Sequence, residues 1–437
     1  MLAGFARVDI TPPLGTVIAG YFRPRYAEGI LDPLEINAVA FNDGENTSLV
    51  IIADLISVKQ ERVTQIRSMI EKELSVPFNN IFIAATHSHT SVRLGVVELE
   101  ESIDYTGTTL NDEDTIYIIL RKFVDVARMA IDDMKEATFS VGTAQPSRQI
   151  SFVRRFLMKD GRVQSFPKTS EFPDVVRTLG EPDNTLRLVR INREDGDDIA
   201  IANFSTHPDT ISGSKFSADW PGHSRRNFER EHPGTKCLML VGPQGDTNHI
   251  DVSKHYRQSS YEGSLSIGRV LADAIHEAWN NTTPTATDKI QADRRVVYNK
   301  TRTDGIEKYE ESKQLLSDHA AKRVNAHAQE LAAAKRVVAM RTMPIYRTVP
   351  VTAMSLGDIA FVGFGGEAFT DYAAHARDAA PDKFVVCITC CNGNQGYLPT
   401  KKAYEDGGYE SGGSAFSPTL EEEVRLEVVD MLNEFYK

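Results

Sequence analysis

The sequence predicts an α/β protein built of mixed β-sheets flanked by α-helices. Three observations point there. Short apolar segments bounded by Gly, Pro, Asn and Asp read as strands, and several follow one another directly, as antiparallel neighbours do. Stretches with apolar residues at helical spacing lie between them. These helices do not follow every strand, which argues against a purely parallel, doubly wound sheet.

The elements follow in order. "RVDITPPLG" is a short strand ended by Pro12 and Pro13, since proline cannot donate to a ladder. "EINAVAFND" and "SLVIIADLIS" make a hairpin through the turn residues "DGEN". "SVKQERVTQIRSMIEKELS" has helical spacing, and the strand "NIFIAATH" completes a β-β-α-β order. "NDEDTIYIILRKFVDVARMAIDDMKEA" is a strongly amphipathic helix capped by Asn111 or Asp112. Strands are expected around "TFSVGTAQP" and "NTLRLVRINRED". "DIAIANFSTHP" and "KCLMLVGPQGD" are two more, with a helix in "SRRNFEREHPG" between them, and another helix follows in "GSLSIGRVLADAIHEAWNN". Residues 305–342 are rich in Ala, Glu, Lys and Leu and read as one long helix or a helical hairpin; His319 and His327 within it are solvated or packing residues. "TVPVTAMSLGDIAFVGFGGE" and "KFVVCITCCNG" return to strand, and "LEEEVRLEVVDMLNEFYK" closes the chain as a helix.

Composition narrows the function. The 437 residues are 41% hydrophobic and 25% charged, with a formal net charge of −12, ordinary for a globular protein. A chain of that sign repels phosphate backbones, and no Lys/Arg run offsets it, so nucleic acid is not an expected partner. Three of the four cysteines sit in "VVCITCCNGN", where flanking Val and Ile suggest small apolar thiols on a buried strand; no second pair completes a zinc tetrad. Arg7 and Asp9 interrupt the N-terminus, so no signal peptide is expected. "SLVIIADLISV" is too short to span a bilayer and contains Asp54. The expectation is a cytoplasmic protein with a small-molecule substrate, no nucleic-acid or membrane partner, and homo-oligomerisation left open.

Polar residues gather where apolar segments end. "IFIAATHSH" ends in His87 and His89, which a strand period places on one side. "IANFSTHPD" ends in His207 near Asp209, "LMLVGPQGDTNH" in Asp246, Asn248 and His249, and "IAFVGFGGE" in Glu367. Rigid strand ends are where sites are built. Imidazoles with a carboxylate suit zinc best among divalent ions. The glycines of "GFGGE" and "YEDGGYESGG" have no phosphate-loop spacing and serve turns and close approach.

The series "THSHTS", "STHPD", "SADWPG", "GPQGDTNHI", "GFGGEAF" and "NGNQGYLPTKKAYEDGGYESG", with the opening "ARVDITPPLGTVIAGY", resembles the neutral/alkaline ceramidase N-terminal domain family in motif order over almost the whole chain. The resemblance implies that residues 1–437 form a single domain of the neutral ceramidase catalytic type. It implies one zinc held by His87, His207, Glu367 and Tyr397, with His89 beside the metal, bonding the substrate oxygen or the tetrahedral intermediate. Arg154, in "FVRRFLMKDG", would bind oxyanion or substrate, although Val153 stands where the family has Asn. Tyr404 and Tyr409 would line the pocket or pack, and Asp219 would support a histidine or the substrate. The departures are in Gly245–His249, where Asn248 replaces the family's Ser and His249 its Pro, and after His89, where the family's Gly-Pro is missing. The family's C-terminal immunoglobulin-like domain is not expected here.

Together these readings predict a zinc-dependent hydrolase acting through a metal-activated water. Its substrate would be an amide, lactam or ester in a small soluble molecule rather than ceramide, with Asp246, Asn248 or His249 positioning water or protonating the leaving group. The alternatives are a metalloenzyme cleaving a glycosidic or phosphoester bond, a TIM-barrel amidohydrolase, which the irregular strand–helix order disfavours, and a non-catalytic metal-stabilised binding protein.

Overall fold

The computed structural model describes residues 1–22, 25–94 and 113–437; the cap expected at Asn111 or Asp112 lies outside the described residues. Leu2–Asp9 (β1), Glu35–Asn42 (β2), Thr47–Ala53 (β3), Ile81–Ala85 (β4), Lys135–Ala144 (β5), Leu186–Arg193 (β6), Asp198–Phe204 (β7) and Thr235–Val241 (β8) join in one sheet, ordered β8-β7-β6-β5-β1-β2-β3-β4. Ile290–Lys300 (β9), Tyr346–Leu356 (β10), Ile359–Phe364 (β11) and Phe384–Ile388 (β12) form a second sheet in chain order. Both sheets are mixed. The parallel neighbours are β3 with β4, β7 with β8, and β11 with β12.

The apolar runs are continuous because both faces of these strands are covered. In β3, Leu49, Ile51 and Ala53 face one core while Val50 and Ile52 face another, the two-residue period of a strand buried on both sides. Gln60–Leu74 (α1) and Glu113–Asp132 (α2) cover one half of the first sheet. Asp219–Glu231 (α3) and Tyr261–Asn280 (α4) cover the other half. The opposite face packs on the second sheet through Phe41, Phe82, Leu240, Phe361 and Ile388. Thr370–Asp378, here α7, and Leu420–Phe435, here α8, close the outside of the second sheet. The result is four layers: helices, sheet, sheet, helices.

Residues 305–342 form the hairpin rather than one long helix, as Tyr309–Ala320 (α5) and Ala328–Ala339 (α6). His327 caps α6, its side chain accepting from the Gln329 N–H, and His319 is buried. Strand β9 is not evident in the sequence, because Asp293, Arg294 and Arg295 break its apolar pattern. It is an edge strand, where charge is tolerated, and Arg295 reaches Glu427 at 3.2 Å and Glu434 at 2.8 Å on α8. Helix α3 begins at Asp219, not at Ser224, because Pro221 sits in its first turn, where no N–H is needed.

A buried ion pair ties α3 to the first sheet. Arg225 donates to Asp54 Oδ1 at 3.2 Å and to Glu35 Oε2 at 2.6 Å. Burial works against its charge, but the two carboxylates outweigh burial and hold the guanidinium protonated. Removing one partner of such a group strands the others without compensation. Arg225→Met is expected to lower unfolding stability by about 3–5 kcal/mol, read as a fall in the urea midpoint with unchanged slope.

Candidate active site

The C-terminal ends of the three parallel strand pairs meet at one place. His87 follows β4, and its backbone N–H donates to the Leu55 carbonyl at 2.9 Å, just beyond β3. Its φ of 64° is left-handed, uncommon for a residue with a Cβ. His87 Nδ1 lies 2.7 Å from the Ile56 carbonyl. The second pair repeats this arrangement: His207 follows β7, and its Nδ1 lies 3.4 Å from the carbonyl of Gln244, beyond β8. The third contributes Glu367 beyond β11, beside the turn after β12, where Cys390 N–H donates to the Gly366 carbonyl at 3.0 Å.

A carbonyl at Nδ1 requires the proton there, which leaves the Nε2 lone pair free. His87 Nε2 faces Glu367 Oε2 at 3.3 Å, and His207 Nε2 lies 3.9 Å from the same oxygen. His89 Nε2 is 3.1 Å from His207 Nε2. One ligand atom from each of His87, His89 and His207 lies within 4.8 Å of the others, a spacing that could hold a metal ion. Among the described residues Glu367 Oε2 is buried with only His87 facing it within 3.5 Å, which is costly for an ionised oxygen unless a cation takes it up. Two oriented imidazoles and a buried carboxylate oxygen thus fit a divalent ion with nitrogen and oxygen ligands, and zinc suits that set.

The electrostatics make His87 and Glu367 a charged pair, and a bound cation would displace the His87 Nε2 proton. Burial would raise the Glu367 carboxyl, but His87 and Arg154 hold it below the usual range. Burial presses His87 down, yet Glu367 and Cys390 raise it well above an ordinary imidazole. Burial and neighbouring positive charge push His89 and His207 well down, so these two are neutral at pH 7.

The remaining expected residues divide into those near this centre and those placed elsewhere. Arg154 is buried; it donates to Glu410 at 2.8 Å, to the Gly245 carbonyl at 2.8 Å and to the Tyr397 hydroxyl at 3.1 Å. Tyr397 stands opposite Glu367 in a short parallel bridge, and Tyr409 packs edge-on against it at 5.4 Å. Tyr404 points away, bonded to Ser414 at 2.9 Å under Arg302. Asp246 accepts from the Thr370 N–H and hydroxyl, both at 2.9 Å, so it caps α7 behind Glu367 instead of facing the histidines. Asn248 accepts from the Ile250 N–H. His249 Nε2 lies 3.0 Å from the Ser259 hydroxyl, and burial lowers its pKa to about 4. Asp219 accepts from Thr210, Trp220 and Ser264; it braces the loop after His207 without bonding a histidine.

Sequence reasoning missed the contacts around His89. Its Nδ1 lies 3.6 Å from Asp209, which accepts from the Tyr21 hydroxyl at 2.7 Å. Arg25 donates to the His89 carbonyl at 2.6 Å and stacks on Tyr21. A Cβ on Gly20, φ 101°, would sit 2.8 Å from His89 Nδ1. Only the glycine, embedded in the opening "VIAGY", hinted at this close approach.

Superposition gives the fold its relatives. Neutral ceramidase from Pseudomonas aeruginosa matches with a TM-score of 0.74 at 16% identity, covering 99% of this chain and 74% of that one. The chain has a neutral ceramidase-like fold. A ceramidase complexed with C2 matches with a TM-score of 0.73 at 14% identity, covering 100% of this chain and 75% of the other. No family model and no curated protein matches the sequence. Within this neutral ceramidase-like fold, no helix among the described residues is long and apolar enough to cross a membrane.

Asp246 gives a pH test of the site's support. Burial raises its carboxyl from 3.8 to about 6. A carboxyl raised on folding binds more protons folded than unfolded between those values, so stability falls as pH rises through them. The Asp246 share is on the order of 2–3 kcal/mol. Asp246→Asn is expected to flatten the difference in unfolding stability between pH 4 and pH 6.5 relative to wild type, measured by denaturant titration at each pH.

Proposed function

We propose that the protein is a zinc-dependent hydrolase of an amide bond, or of the equivalent lactam or ester, in a small soluble substrate other than ceramide. One observation carries this reading: His87 Nε2, His207 Nε2 and Glu367 Oε2 converge in a buried cluster with His89 beside them. The ceramidase-like fold supports hydrolytic chemistry at that position.

The chain's own groups have distinct tasks. Backbone carbonyls of Ile56 and Gln244 fix the tautomers of His87 and His207, so their lone pairs aim inward. His87, His207, Glu367 and Tyr397 would hold a zinc ion, which would supply a Lewis acid and lower the pKa of a bound water toward neutrality. When water adds to the carbonyl carbon, negative charge grows on the carbonyl oxygen. His89 N–H and the buried Arg154 cation stabilise it. Collapse breaks the C–N bond, and the amine leaves with the proton that water gave up. The buried Glu367 carboxylate, 3.3 Å from His87, is the nearest base to take that proton and return it to the amine. The short Tyr21–Asp209–His89 sequence of contacts keeps that ring in position.

Removing the metal with a chelator is expected to abolish turnover of N-acyl amides, and one equivalent of zinc to restore it. His207→Ala is expected to bind zinc substoichiometrically by elemental analysis. His89→Ala is expected to retain zinc while kcat falls roughly 10²–10³-fold. A panel of amides, lactams, esters, glycosides and phosphate esters checks the bond. Zinc-loaded protein inert toward all carbonyl substrates would contradict the proposal.

A further inference from the structure

A second feature lies beside the reaction centre. A cavity of about 200 Å³ opens between the segment 154–172 and the loop 248–259. Phe156, Phe166 and Phe172 form its apolar wall, and the exposed Tyr256 stands at its rim. The three site histidines do not line it. It adjoins the centre through shared residues: Arg154 lines it and bonds the Tyr397 hydroxyl at 3.1 Å, and Ser259 lines it and lies 3.0 Å from His249.

The charges on its wall have one sign. Arg154, Lys168 and Arg257 line it, and no Asp or Glu does. Glu410 at 2.8 Å already compensates Arg154. Arg257 donates only to neutral groups, the Ser259 carbonyl at 3.2 Å and the Ser212 hydroxyl at 3.1 Å. Lys168 forms no ion pair among the described residues. Glu171 bonds its backbone N–H at 2.6 Å, and Lys168 also borders the neighbouring open cleft that Glu171, Glu330 and Asp406 line. In a chain of net charge −12, two cations on one small aromatic cup, neither in an ion pair among the described residues, are a local reversal of field, and such a field concentrates anions. An apolar cavity of about 150 Å³ takes benzene, so this one has room for a single ring with a substituent.

We propose that the cavity is a subsite for a compact aromatic group bearing a carboxylate. The ring lies against Phe156, Phe166 and Phe172, and the anion faces Lys168 and Arg257. That this group belongs to the substrate rests on the hydrolase reading; that the cavity binds it does not.

Titration calorimetry of the zinc-loaded protein with benzoate, benzamide and acetate tests binding, and hydrolysis of N-acetyl-4-aminobenzoate against acetanilide tests use. Benzoate is expected to bind roughly tenfold tighter than either benzamide or acetate. The double variant Lys168→Gln, Arg257→Gln should weaken benzoate about tenfold and leave benzamide unchanged, which also shows that the cup is intact. Phe172→Ala should weaken both aromatic ligands. N-acetyl-4-aminobenzoate should exceed acetanilide in kcat/KM, and the double variant should erase the difference. Benzoate binding untouched by the double variant, or equal to that of benzamide, overturns the subsite. The expected binding pattern with neither amide turned over overturns the hydrolase reading and supports the subsite. Turnover of both amides without preference for the carboxylate, alongside equal benzoate and benzamide binding, overturns the subsite and supports the hydrolase.

Discussion

The structure depends on one repeated interaction: a histidine at the end of a parallel strand gives its Nδ1 proton to a backbone carbonyl at the end of the neighbouring strand. The Ile56 carbonyl accepts from His87 and the Gln244 carbonyl from His207. Parallel pairing is what makes it available, since both strands of such a pair finish at the same edge. The paired register of Ala53 with Ala85 and of Phe204 with Val241 sets carbonyl and imidazole side by side. The Nε2 atoms then aim at a common point, and Glu367 arrives from the third parallel pair with a buried oxygen that faces only these histidines among the described residues.

Holding three strand ends at one point requires unusual backbone. His87, Cys390 and Asn392 all have positive φ, each costing on the order of 1–3 kcal/mol. The cost is met by bonds between the sheets. Asn392 exchanges hydrogen bonds with Ile83 of β4, its N–H donating at 2.7 Å and its side-chain oxygen accepting at 2.9 Å. Cys390 Sγ lies 3.7 Å from His87 Nδ1, so the clustered cysteines are neither a metal tetrad nor remote packing. They brace the turn that faces His87. Gly363 is needed in β11 because a Cβ there would lie 2.5 Å from Cys391 Sγ.

Much of this was legible in the sequence for a physical reason. A strand buried on both faces reads as an unbroken apolar run, so its polar end stands out; His87, His207 and Glu367 were found that way. The mixed sheets followed from strands lying next to each other without helices between. What the pattern could not show was anything carried by backbone carbonyls or by tertiary partners. Asp246 looked like chemistry because it ends a strand, yet Thr370, far along the chain, takes up its carboxylate. Asp219 and Tyr404 were likewise placed by partners that local sequence does not name. Strand β9 was hidden by the charges that an edge position tolerates, and the aromatic cup by the distance in sequence between its two walls.

X-ray absorption at the zinc edge of the stoichiometrically loaded protein tests the central claim most directly. Imidazole nitrogens from at least two histidines are predicted at about 2.0–2.1 Å, with oxygen at about 2.0–2.2 Å and no sulfur. A sulfur shell at about 2.3 Å would place the ion on Cys390 instead, and a spectrum without imidazole scattering would contradict the convergence of His87 and His207 on one metal.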